Sequence, residues 1–261
     1  MATSTRNVIV GAANLFISNK NGANRPTTTS TDIAALLAKK NAVGVSARTN
    51  INAALDSNGA PSYREVGFTS TGMEISYEPV YGEVMVDQLL DAARLFKQTL
   101  KVVLKTELVE ATLENLTTSW GQSDYYIDSN GNPVWSLTSN ATGSISTGAS
   151  DTAVLNMAAG AVGDTPVERV LIAVGSAPRT AGGTFDAKND ATVTGNNSDL
   201  KQKERVYIAR RVVNIDTTMH ALKRDAATVF PVNFRCLPDD SDSSYIGSEY
   251  GVVIDRVWGT I

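Results

Sequence analysis

The sequence predicts a mainly β protein (α+β): an antiparallel β sandwich or barrel with one flanking amphipathic α-helix, long loops and an extended N-terminal segment. Three observations predict it. Several stretches alternate apolar and polar residues with period two. One stretch switches to a helical period. Turn-rich, weakly patterned segments lie between them. A chain of 261 residues can bury a sizeable core, and all-β domains of this size are common, so residues 1–261 read as one domain.

In chain order, residues 7–17 (NVIVGAANLFI) read as a first strand. Residues 18–63 read as a long basic loop or arm. Within it, TDIAALLAKK at 31–40 predicts a short helix, with Asp32 in the first turn and Lys39 and Lys40 in the last, as the helix dipole prefers. Asn58-Gly59 marks a turn. A weakly patterned segment this long is functional or ordered by a partner. Met73, Ile75 and Tyr77 then alternate with Glu74, Ser76 and Glu78; Tyr81-Gly82 predicts a turn; Val84 and Val86 alternate with Glu83, Met85 and Asp87. Leu100, Val102, Leu104 and Leu108 form the apolar beat of a longer strand. After Glu107 the period changes: Val109, Leu113, Leu116 and Trp120 recur at helical spacing, with Glu110, Glu114, Thr117 and Thr118 on the other side. That predicts one amphipathic helix packed on the sheet by its apolar stripe.

Residues 121–150 and 176–200, rich in Ser, Thr, Gly and Asn, read as surface insertions. Strands are predicted at 168–174, at 204–216, at Phe230 to Cys236 and through Tyr250, Val252 and Ile254. Pro231 suggests that the third of these runs along an edge or carries a bulge.

Composition excludes several classes. With 42% apolar and 19% charged residues the chain is globular. No apolar run approaches the roughly 20 residues that span a bilayer, so no membrane insertion is expected. The start of the chain has no charged head followed by an unbroken apolar run, which argues against a secretory signal. Cys236 is the single cysteine, so an intrachain disulfide and cysteine zinc sites are excluded, and a reducing cytoplasm is the expected place of synthesis. Charge is uneven. Residues 1–64 carry seven basic groups against two acids, a balance of +5, leaving −9 on the rest of a chain of net charge −4. Arg25, Lys39, Lys40 and Arg48 make the N-terminal segment a candidate basic arm between stacked copies, docking on an acidic neighbour. Ordinary charge scatter is the alternative.

A search for chemistry finds no fingerprint. His220 is the single histidine, with no nucleophile elbow in the chain. Asp239, Asp240 and Asp242 resemble a fragment of a calcium loop without its closing Gly and Glu. Glu110 and Glu114 read as an exposed helix face rather than a catalytic carboxylate pair. No P-loop occurs. We therefore expect no enzyme, no cofactor and no metal. Trp135, in a turn-rich insertion, supports an alternative reading: a carbohydrate-binding or adhesive β domain on a virion or cell surface.

REVGFTSTG from Arg64, the acidic strand EVMVDQ, the run KTELVEATLENL and the late CLPDDSD turn before the last strand occur in an order that resembles the major tail tube proteins of long-tailed bacteriophages. The resemblance covers roughly 64–120 and 203–258. It implies a structural virion protein, present in the host cytoplasm during assembly. Its partners would be itself, in rings that are usually sixfold and stack head to tail, together with tape-measure, tail terminator and distal tail proteins. DNA would pass through the bore without sequence-specific binding. A bore that repels phosphate is acidic. On this reading Glu74, Glu78, Glu83 and Asp87 are the candidate lumen or ring-edge acids.

Overall fold

The computed structural model describes residues 13–37, 46–85, 94–122, 163, 165–177, 202–215, 219 and 228–258. Lys39, Lys40, Asp87, Trp135, His220, the first twelve positions and almost all of the two insertions lie outside these residues. The expected mainly β class holds: among the described residues an antiparallel sheet of eight strands dominates, with three short α-helices. The strands are β1 (Asn14–Ser18), β2 (Tyr63–Glu65), β3 (Thr69–Val84), β4 (Arg94–Leu108), β5 (Glu168–Ser176), β6 (Gln202–Asn214), β7 (Phe230–Cys236) and β8 (Gly251–Trp258). Their order is β2-β1-β5-β6-β7-β4-β3, with β8 paired to β6.

One cluster of buried side chains joins Leu15 and Ile17 of β1 and Leu171 of β5 to Leu104 and Leu108 of β4 and to Phe230 and Phe234 of β7. Strands from opposite ends of the order share this core, so the sheet curls around it. It is not a closed barrel, because β2 and β3 do not pair with each other. They are instead one path of chain. Val66 N–H bonds Leu15 O at the end of the β1–β2 ladder, and Val109 N–H bonds Phe68 O at the start of the β3–β4 ladder. The kink between them needs Gly67, which has φ +83° and leaves no room for a Cβ beside the Glu110 carboxylate.

The opposite face of the sheet is covered by the segment expected to be an arm. It contains α1 (Ser30–Leu36) and a helix not expected from sequence, α2 (Ala47–Asn52). Ile33, Ala47 and Ile51 bury against Phe16, Ile172, Val206 and Ile208. Within the described residues this segment is therefore core, not a free arm. α1 starts at a capping box between Thr29 and Asp32 and runs to Leu36, while residues 38–40 of the expected 31–40 lie outside the described residues.

Two further expectations are corrected. Tyr81-Gly82 is not a turn. β3 runs through it as one strand, with a register shift between Val80 and Tyr81 that absorbs the irregularity. The ring of Phe96 sits where a Cβ on Gly82 would lie, so glycine is there for cross-strand packing. The helix expected from Val109 is only α3 (Leu113–Ser119). β4 continues to Leu108 because Leu104, Thr106 and Leu108 are buried between β3 and β7, and Val109 extends the ladder. Pro231 pairs with Glu107 of β4, and among the described residues no strand residue lies on its other side, which suits a residue without an N–H.

Candidate interaction surface

α3 docks mainly through its polar side. Asn115, Thr117, Thr118 and Ser119 are buried, whereas Leu113, Leu116 and Trp120 are half-buried. Leu116 does touch the core, as the stripe predicts. The grip is polar, however. The Arg64 guanidinium donates to Asn115 Oδ1 (2.7 Å), Thr118 Oγ1 (2.6 Å) and Glu114 O (2.9 Å). Asn115 Nδ2 donates to Val66 O (2.8 Å), and Asn214 Nδ2 donates to Ser119 O.

Of the basic residues expected to reach another copy, Arg25 and Arg48 are bound within the chain, and Lys39 and Lys40 lie outside the described residues. Arg25 pairs with Glu168 (3.1 Å) and Asp239 (2.7 Å), and Arg211 joins the same Glu168. Burial alone would raise the Asp239 pKa, but Arg25 and Ser241 outweigh it and hold the carboxyl below its ordinary value. Arg48 pairs with Glu65 (3.0 Å). Beside this clasp, Arg210 lies over the Tyr245 ring at 4.1 Å and donates to Thr28 Oγ1 (2.8 Å), pinning the strap that precedes α1. Asp242 caps a short helical turn by accepting from Ser244 N–H. Among the described residues no group of three His, Cys, Asp or Glu is placed to hold a metal. Burial pushes the Cys236 thiol up to about 12, which leaves it unreactive. Among the described residues no helix is long and apolar enough to cross a membrane.

A cleft of about 470 Å3 lies between the strap, α2 and the sheet. Its charged groups serve the chain itself: Asp32 caps α1, and Asp56 pairs with Lys20 (2.5 Å). The surface that stands out is the far half of the β3–β4 hairpin. β4 pairs with β7 only from Val102 to Leu108. Beyond that level β3 and β4 continue as a two-stranded ribbon to Val84 and Arg94. Val80, Tyr81, Leu95 and Phe96 are exposed along it, and Ile75 and Tyr77, level with Leu104 and Val102, are exposed at its root, Tyr77 to 61%. Apolar side chains occur on both sides, since Ile75 and Tyr77 differ from Val80 in strand parity. Lys97 Nζ lies 5.6 Å from the Tyr77 ring centre.

Glu74, Glu78 and Glu83 are exposed on β3, the last strand of the sheet. Glu74 is level with Lys105 and Glu78 with Lys101, so this face alternates charge instead of being purely acidic. The cross-strand lysines were not among the residues picked from sequence, although their period-two spacing was visible there. Between the ribbon and the sheet, Ile75, Tyr77, Leu171, Tyr207, Tyr250 and Val253 help line an apolar cleft of about 250 Å3. Among the described residues, no strand pairs with the outer edge of β3 or with the second edge of β8. Comparison with protein-family models and with curated proteins finds no match for this chain.

Proposed function

We propose that this chain is the subunit of a hollow phage tail tube. It self-associates into rings, expected to be sixfold, that stack head to tail around a bore for DNA, and it catalyses no reaction. The observation that supports this reading best is the ribbon. A two-stranded hairpin is marginal in water by itself, and exposed apolar side chains on both of its faces call for cover. Its occupant is a second copy. Among the described residues, β3 at one end of the sheet and β8 elsewhere are two different bare edges. Pairing unlike edges gives a heterologous contact, the kind that closes into rings or runs on as a filament. Glu74, Glu78 and Glu83, on the β3 edge strand, then fall at the ring edge. Tape-measure, terminator and distal tail proteins would meet the ends of the stack, and the product is part of the virion.

Sedimentation velocity over a range of concentrations tests the reading. The wild-type chain is expected to form discrete rings and longer stacks. A variant carrying Tyr77→Ser and Val80→Ser is expected to stay monomeric, with an unchanged circular dichroism spectrum. Equal polymerisation of both proteins, or a monomeric wild type throughout, would overturn it.

A further inference from the structure

β7 and β8 occupy the same place beside β6. Val212 of β6 is level with Cys236, and Ala209 is level with Gly251, so β8 resumes the line of β7 after the excursion 237–250. β4 runs along β7 as far as Val102, level with Cys236. Past that point β4 goes on to Arg94, but among the described residues its inner edge has no partner. The bare edges of β4 and β8 flank the apolar cleft, and the Tyr250 hydroxyl donates to Leu100 O (3.3 Å) at its root.

The registers of the two edges are in phase. Val102 is level with Val212 through Cys236; β6 has one extra residue between Val212 and Ala209, so Ala209, and hence Gly251, comes level with Leu100, and the extra residue of β4 between Thr99 and Lys97 then offsets that shift. The same count sets Lys97 beside Val253 and Phe96 beside Ile254. The faces also agree. Lys97 lies on the cleft side with Tyr77, and Val253 lines that cleft; Phe96 and Ile254 take the opposite side, where Ile254 packs on the second core. No slip of register is needed, and a one-residue slip would have put every side chain on the wrong face.

We propose that this seam closes in the free subunit: the far half of β4 zips onto β8 and hides the β8 edge that a second copy needs. Closure pairs bare backbone groups and covers Ile75, Tyr77 and Val253. It is weakest at the tip, where Arg94 comes level with Arg256, whose partner is Glu204. The seam itself follows from the register; its consequence for assembly rests on the tube reading.

A cysteine pair reads the seam directly. Cys236→Ala is combined with Lys97→Cys and Val253→Cys, both exposed positions, and dilute protein is mildly oxidised. An intramolecular disulfide is expected in most of the monomer, because paired positions across a ladder come within disulfide reach. The control pair Lys97→Cys with Ile254→Cys faces opposite sides and is expected not to link. No link in the first pair, or equal links in both, would overturn the seam. The linked protein is expected not to polymerise until reduced; equal polymerisation of the linked and reduced forms would overturn its role in hiding the edge. If the reduced protein never polymerises, the tube reading fails, while the yield of links still decides the seam.

Discussion

The half of the sheet around β1, β5 and β6 and the far half of the β3–β4 hairpin are built from similar alternating sequence, yet they are finished differently. In the first, both faces are covered: one by the curl of the sheet, the other by α1, α2 and the strap. Phe16 and Ile172 are wholly buried there. Loose ends are tied by Arg25, Arg64 and Arg210. In the second, the same kinds of side chain stand in water. Folding free energy therefore resides in the covered half, and the ribbon's apolar surface is left for association.

The sharpest way to break this contrast is truncation in the covered half. Phe16→Ala should cost about 3–5 kcal/mol, the usual range for an aromatic lost from a packed core. Urea unfolding of the monomer measures it, and a loss under 1 kcal/mol would mean that this half is not the stability centre. Next comes the polar grip on α3. Arg64→Ala leaves Asn115 and Thr118 without their donor and should cost about 2–3 kcal/mol. Hydrogen exchange at the α3 amides should rise with it.

A smaller effect is tied to pH. Burial raises the Glu204 pKa above its ordinary value, against the pull of the Ala47 N–H and Arg256. Its folded form holds the proton longer than its unfolded form, so stability falls as pH rises from the ordinary glutamate value through the raised one. Glu204→Gln should flatten that part of the stability–pH curve; an unchanged slope would place its origin elsewhere. Asp32 and Asp239 have lowered values, so they act below this window, with stability lost as pH falls. The smallest effect belongs to the ribbon. Val80→Ser, on the face away from the cleft, should change monomer stability by no more than about 0.5 kcal/mol, as for other exposed positions.

The contrast also explains what the sequence could show. Period two marks β7 and the second half of β4 because each has a buried face to protect, whereas β3 shows the same alternation with no buried residue and β5 is buried on both faces. The Tyr81-Gly82 turn was misread because a glycine serving the Phe96 ring looks the same in one dimension as a glycine serving a turn. Val109, Leu113, Leu116 and Trp120 imitate a helical stripe that begins too early, since β4 needs Leu108 for its own ladder. The polar docking of α3 was not legible, because Arg64 and Asn214 are distant in sequence from Asn115 and Ser119. Arg25 and Arg48 read as an exposed basic arm for the same reason: their carboxylate partners are apparent only in the fold.

Negative-stain electron microscopy of the full-length protein, from dilute to concentrated, tests the central claim most directly. The account predicts rings that stack into hollow tubes with a bore about as wide as a DNA duplex. Separate single particles at every concentration would contradict it.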